Sequence, residues 1–103
     1  MTILKGFEKK YLRGLAHDMK PLILIGKEGI TDGIVRAAEE ALALHELIKI
    51  KFNDFKLKDQ KETITEALVA KTGSMLAGTI GHTAILYRQQ TDPAKRKIAL
   101  PRK

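Results

Sequence analysis

The sequence contains no cysteine and no tryptophan, and its only aromatic residues are three phenylalanines and two tyrosines. Without cysteine, the chain has no disulfide scaffold, no thiol nucleophile and no thiolate ligand for a metal. It has no apolar run near the roughly 20 residues that a membrane-spanning helix requires. Residues 1–13 alternate charged and apolar side chains, unlike a signal peptide. Because 103 residues suffice for one domain, we expect a single small cytoplasmic domain that binds no membrane.

Positive charge is plentiful and lies mainly at the two ends of the chain. The 19 Lys and Arg residues outnumber 12 Asp and Glu, which gives a formal net charge of +7. Residues 1–29 hold six basic and three acidic residues, residues 30–87 hold seven and eight, and residues 88–103 hold six and one. This excess predicts an acidic partner, with nucleic acid as the first candidate. If the fold brings the two ends together, one face becomes a phosphate-binding surface.

Apolar periodicity predicts three helices. The first covers residues 4–17, with an inward stripe of Leu4, Phe7, Tyr11 and Leu15 and a basic stripe of Lys5, Lys9 and Arg13 on another side. The second follows Thr31 as N-cap, and its predicted inward residues are Ile34, Ala38, Ala41, Leu42 and His45. The third opens on a capping box of Asp59 and Glu62 and ends at Gly73.

Short apolar or alternating runs predict four strands, at residues 22–25, 47–52, 75–80 and 83–87, with a further short edge segment at Ile98–Pro101. The last two strands form a hairpin through Gly81–His82. The predicted fold is therefore α/β, a compact αβαβαββ domain with a four-stranded mixed sheet and helices packed on it. We expect this domain to occupy residues 1–90 and a basic tail to occupy residues 91–103.

The loop Gly26-Lys27-Glu28-Gly29 joins the first predicted strand to the second helix. Its glycines permit positive φ and close approach of a ligand, and a helix N-terminus beside a lysine suits phosphate. A tight turn that needs glycine only for its geometry explains the same pattern, so both interpretations stay open. A second G-x-x-G string, Gly78–Gly81, lies across a strand and a hairpin turn and offers no helix N-terminus.

Several separated segments together resemble one protein family. They are His17–Pro21, Ile25–Thr31, His45–Ile50, Thr72–Gly73, Ile80–Gly81 and Leu86–Arg88. In order and spacing they resemble the CRM domain, the chloroplast RNA splicing and ribosome maturation domain, and especially its bacterial single-domain, YhbY-like members. The resemblance implies a fold similar to the C-terminal domain of bacterial translation initiation factor three. It also implies RNA binding, a G-x-x-G loop likened to that of KH domains, and association with precursors of the large ribosomal subunit.

From the loop, the charge and this resemblance we predict an RNA-binding site with no metal or other cofactor, on a monomer. Its residues are Gly26, Lys27, Glu28 and Gly29 in the loop, with Lys5, Lys9, Arg13, Lys20, Arg88, Lys95, Arg96 and Lys97 around it. The predicted partner is ribosomal RNA of the large subunit or its precursor. His82 and the pair Ala77-Gly78 depart from the family pattern, so the resemblance assigns no RNA contact to the third strand and its turn.

The remaining polar residues do not predict catalysis or metal binding. His17, His45 and His82 lack the spacing of metal ligands, and His45 is interpreted as a core histidine or a helix C-terminal cation. The carboxylates of Glu39, Glu40, Glu62 and Glu66 are predicted to lie on solvated helix faces with ordinary ion pairs, and no nucleophile or nucleotide motif is present. We therefore expect no enzyme and no small-molecule substrate.

The few aromatic residues limit the predicted stacking of bases. Phe7, Tyr11 and Phe52 have inward spacing, Phe55 is in a loop, and Tyr87 fits either core or surface. Mainly phosphate and sugar contacts, with modest sequence specificity, are therefore expected. The alternative function is a protein-interaction module that docks on a ribosomal protein or another translation component through the sheet face around Ile50 and Tyr87.

Overall fold

A four-stranded sheet lies at the centre of the molecule. The structure is a computed structural model, and it describes residues 4–54 and 57–101. The elements are α1 (Gly6–Ala16), β1 (Ile23–Ile25), α2 (Asp32–His45), β2 (Leu47–Phe52), α3 (Lys58–Thr72), β3 (Met75–Ile80), β4 (Thr83–Tyr87) and a 3₁₀ turn at Pro93–Lys95. This order confirms the αβαβαββ prediction. Phe55, predicted to be in a loop, lies outside the described residues.

The strands lie in the order β1-β2-β4-β3, so the sheet is mixed as predicted. Strand β1 is parallel to β2, and both pairs that involve β4 are antiparallel. A parallel pair needs a crossover connection, which α2 supplies. Strand β2 therefore has a partner on each side, with Ile25 opposite Phe52 at its last residue and Tyr87 opposite Leu47 at its first.

Two hydrophobic cores lie on opposite faces of the sheet. Alternate residues of β2, namely Ile48, Ile50 and Phe52, belong to the core beneath α2 and α3, together with Leu42 and Leu68. We call this the α2/α3 core. The α1 core, on the other face, contains the buried residues Leu4, Leu12, Ala16, Leu47, Ala77, Ile85 and Tyr87. The burial of Phe52 agrees with the interpretation of this aromatic as a core residue.

The predicted inward stripe of the first helix is wrong in two of its four members, since Leu4 is buried and Phe7 is half-buried as expected but Tyr11 and Leu15 are not. Leu12 and Ala16 are fully buried, whereas Tyr11 is 40% and Leu15 is 41% exposed. Within α1 the buried residues Leu12 and Ala16 lie about one residue round the helix from the predicted Tyr11 and Leu15, a rotation of roughly 100°. Periodicity alone does not distinguish two adjacent apolar lines on one helix.

The boundaries of α2 and α3 follow their capping residues only in part. Thr31 caps α2 as predicted, since its Oγ1 accepts a hydrogen bond of 3.1 Å from the Ile34 N–H. Gly73 ends α3 in the left-handed region, at φ 67°. The capping box of α3 is wrong, because the helix begins at Lys58 after Leu57 and places Asp59 inside its first turn.

Two further expectations change in the structure. His45 is exposed in the last turn of α2, so the core interpretation of this histidine is wrong. Ile98–Pro101 does not form a strand; the side chains of Ile98 and Leu100 instead pack against the α1 core. The C-terminal segment therefore contributes apolar contacts without joining the sheet.

Two glycine substitutions test this account of the helices. Gly14→Ala should stabilise the protein by about 0.5–1 kcal/mol, because Gly14 lies inside α1 and nothing lies within 4 Å of an added Cβ. Gly73→Ala should destabilise it by about 1 kcal/mol, because φ is +67° there. Thermal unfolding should show opposite shifts in Tm, and a fall in Tm for Gly14→Ala would contradict the exposed placement of this residue.

Candidate nucleic-acid interface

The loop Gly26–Gly29 is a tight turn between β1 and α2. The Gly29 N–H donates a hydrogen bond of 3.0 Å to the Gly26 carbonyl. Gly29 has a φ of 68°, which an L side chain rarely adopts, so the turn requires glycine there. Lys27 and Glu28 lie at its tip, and both are exposed. The turn therefore places one positive and one negative side chain in solvent.

Three connections meet at the end of the sheet that carries this loop. The Asn53 N–H donates to the Ile25 carbonyl at 2.9 Å, and the Phe52 N–H donates to the His82 carbonyl at 2.8 Å. A Cβ added to Gly26 would lie 3.8 Å from Oδ2 of Asp54. We call this the loop end, formed by Gly26–Gly29, Asn53–Asp54 and the Gly81–His82 turn.

Most of the predicted basic surround does not lie at the loop end. Arg88 follows Tyr87, which pairs with Leu47 at the opposite end of β2, about 17 Å from Phe52 for a six-residue strand. Leu4 lies in the α1 core and Ile98 and Leu100 pack against it, so the first and last described segments lie on the same face of the sheet. We call this region the tail end; its predicted site residues are Lys5, Lys9, Arg88, Lys95, Arg96 and Lys97.

The guanidinium of Arg88 is held by protein groups. Its Nη1 donates to Oε2 of Glu39 at 2.7 Å and to the Thr72 carbonyl at 2.8 Å, and its Nη2 donates to the Glu39 carbonyl at 3.2 Å. Arg88 thus joins α2 and α3 to the end of β4, and RNA contact by its side chain stays a prediction. The side chain of Glu39 is 41% exposed and forms an ion pair with Arg88, in agreement with the prediction of a solvated face with ordinary ion pairs.

The prediction missed Glu46, which organises the tail end. This residue is fully buried and has a φ of 65°. Its carboxylate accepts backbone N–H bonds from Gln90 at 2.7 Å, Lys97 at 2.6 Å and Ile98 at 3.0 Å. The sequence offers one local signal for this role of Glu46: α2 ends without the Gly or Asn that usually occupies a position of positive φ after a helix. The basic cluster at residues 95–97 is held in place through these bonds.

Tyr87 belongs to the α1 core and is fully buried. Burial raises the pKa of its hydroxyl above the ordinary value, and the nearby Glu46 carboxylate raises it further. Ile50 is also fully buried, on the opposite face of the sheet. The docking surface predicted around Ile50 and Tyr87 for the protein-interaction alternative is therefore wrong.

The other predicted site residues lie between the two ends. Arg13 is half-buried, and its Nη1 donates to the Ala77 carbonyl at 3.3 Å, which places it over β3. Lys20 is exposed in the segment between α1 and β1. Over residues 4–54 and 57–101, three or more His, Cys, Asp or Glu side chains nowhere gather in a possible metal site. In the same ranges, no helix is both long and apolar enough to cross a membrane.

Comparisons with known proteins define the class to which this fold and loop belong. The model of the CRS1 / YhbY (CRM) domain family matches residues 4–88. The chain therefore belongs to the CRM domain family, and the bacterial relatives below support a YhbY-like single-domain protein.

The relatives include bacterial proteins of the same or nearly the same length, matched over their whole chains. The chain is 40% identical over 103 residues to a Haemophilus influenzae protein named RNA-binding protein, and the match covers 100% of both chains. It is 35% identical over 99 residues to the Probable RNA-binding protein YqeI of Bacillus subtilis, covering 96% of this chain and 100% of that one. A solution structure from Staphylococcus aureus, for which RNA binding is proposed, has a TM-score of 0.79 and 33% identity and covers 96% of this chain and 100% of its own.

Glu46→Gln should loosen the tail end. An amide presents N–H groups where the carboxylate accepts three backbone donors, so we expect a loss of about 1–3 kcal/mol in the free energy of unfolding. Urea unfolding measures this loss, and trypsin should cleave after residues 95–97 faster than in the wild type. Glu40→Gln, at an exposed position of α2, is the control and should change neither measurement. Equal cleavage of both variants would contradict the anchoring role of Glu46.

Proposed function

We propose that this protein binds RNA and associates with ribosomal RNA of large-subunit precursors during ribosome assembly. The observation that carries the proposal is the family match over residues 4–88 in a chain of net charge +7, with relatives of matching length named as RNA-binding proteins. The ribosomal target rests on the family resemblance. We propose further that the protein acts as a cytoplasmic monomer without catalysis, with residues 91–103 as a basic tail on the domain.

The loop Gly26–Gly29 is proposed as one contact with the RNA backbone. Lys27 lies exposed at the tip of this loop. The positive φ of Gly29 and its hydrogen bond to the Gly26 carbonyl close the loop into a tight turn. Three carboxylates also lie in or beside this region, those of Glu28, Asp32 and Asp54. Because a single lysine does not outweigh these acids, affinity requires basic side chains beyond the loop.

Salt dependence tests whether phosphate contacts dominate. The logarithm of the association constant should fall by about 0.7 for each tenfold rise in salt per phosphate neutralised on a single strand. Filter binding to single-stranded and structured RNA across a salt series measures this slope. A slope near zero would contradict binding through the basic surface.

The contribution of the loop has its own test. Replacing Lys27 and Glu28 together by Asp removes the positive charge at the tip, and we expect about tenfold weaker binding to RNA with unchanged thermal stability. Lys71→Asp is the matched control, because it makes the same change in net charge at an exposed position of α3. Equal affinities of the two variants would exclude the loop from the interface.

The ribosomal target is tested in cells by ultraviolet crosslinking and sequencing of the attached RNA. We expect the crosslinked reads to concentrate in ribosomal RNA of the large subunit and to include precursor sequences that the mature subunit lacks. Reads spread over all cellular RNAs in proportion to abundance would contradict an assembly role and leave general RNA binding in place. Sedimentation of the protein with large-subunit precursors provides the second measurement.

A further inference from the structure

Helix α1 covers only part of its face of the sheet. Beneath it, Ala77, Ile85 and Tyr87 are buried. One row nearer the loop end, the same face is open: Leu24 pairs with Lys51, Lys51 with Thr83, and Thr83 with Ile80. Leu24 and Ile80 are each 54% exposed, and Lys51 is exposed between them. These four residues, which we call the open row, cross all four strands.

The charged side chains that the strands place on this face of the sheet are all positive. The four strands contain two ionisable side chains other than tyrosine, Lys49 and Lys51, and no carboxylate. Both lysines lie on the α1 face, because residues alternate along β2. Lys49 Nζ donates to the carbonyls of His17 at 3.2 Å and Met19 at 3.0 Å, which holds it beside the end of α1. Lys51 extends the positive charge into the open row.

A third positive group reaches this face from α1. Arg13 lies across β3 at Gly78, where an added Cβ would be 2.5 Å from Cδ of the arginine. The next residue of β3 on this face is Ile80, so Arg13 borders the open row. Strand β3 also has a register shift between Leu76 and Gly78. Gly78 is thus a positioning residue that leaves space for an arginine supplied by another element.

We propose that the open row binds single-stranded RNA, with phosphates at Lys51 and Arg13 and the sugars and bases against Leu24 and Ile80. This inference rests on the proposed function and names its main contact surface. A polyanion complements the lysine and arginine, and its bases and sugars supply apolar surface for the two aliphatic side chains. An unspecified acidic protein surface offers no such regular alternation of charge and apolar groups.

The size and place of the open row suit a short stretch of RNA. Four strands span about 14 Å between the outer backbones, the width of the sheet on which an RRM stacks two or three bases. Leu24 lies two residues before Gly26, so an RNA strand bound at the loop would continue directly onto the open row. Apolar contacts with sugars and base faces do not read the hydrogen-bonding edges of the bases, so binding with little sequence preference is expected.

Charge reversal at the centre of the row is the first test. With a short fluorescein-labelled single-stranded RNA, fluorescence anisotropy should show Lys51→Glu binding about tenfold more weakly, with a salt slope reduced by about 0.7. Lys71→Glu is the matched control on α3, across the sheet from the row, and should retain nearly wild-type affinity. Thermal unfolding of both variants confirms that each remains folded.

The outcomes separate this inference from the proposed function. One outcome is that Lys51→Glu and Lys71→Glu bind RNA equally tightly while the variant at Lys27 and Glu28 binds it more weakly. In that case the protein binds RNA, and the open row is excluded from the interface. If the wild-type protein binds no RNA, the proposed function fails as well. If Lys51→Glu retains RNA affinity but no longer sediments with ribosomal particles, the row docks on protein and the inference is overturned.

The role of Gly78 is tested by a double-mutant cycle with Arg13. Gly78→Ala should displace the arginine and weaken RNA binding about as much as Arg13→Ala, and the double variant should lose little more than either. A full additional loss in the double variant, or unchanged affinity for Gly78→Ala beside a weakened Arg13→Ala, would contradict the positioning role.

Discussion

The alternation of side chains along β2 determines how the rest of the molecule is arranged. This strand has a partner on each side and helices on both faces. Its odd-numbered residues begin with buried Leu47 and continue to Lys49 and Lys51, while its even-numbered residues are entirely apolar. A shift of one residue would bury both lysines in the α2/α3 core. The pattern thus specifies the register and the positive face together.

Much of the fold was predictable because local signals and packing agree. Thr31 and Gly73 mark helix ends, and Gly81–His82 joins two runs of apolar residues that form the hairpin. The orientation of α1 was not predictable, since two adjacent apolar lines satisfy the same helical period. The prediction of where α3 starts was wrong for a related reason, because an acidic residue suits the first turn of a helix as well as its cap.

The candidate site was predictable in its chemistry more than in its arrangement. The sequence identified the turn at Gly26–Gly29 and the basic ends, but it did not indicate that a whole strand separates them. Glu46 was missed because its partners lie 44 to 52 residues further along the chain. The sequence analysis noted Arg13 as part of a basic stripe and Gly78 as part of a departure from the family pattern, but only the tertiary contact relates them.

The meeting of the first and last described segments in the α1 core makes this domain suitable as a module. Leu4 belongs to this cluster and Leu100 packs against it, so both of these described segments lie on the α1 face of the sheet. A unit of this kind can be inserted into a longer polypeptide or repeated along one, because the flanking chain need not cross the folded body. The open row, at the other end of β2, would remain clear of the junctions in such an arrangement.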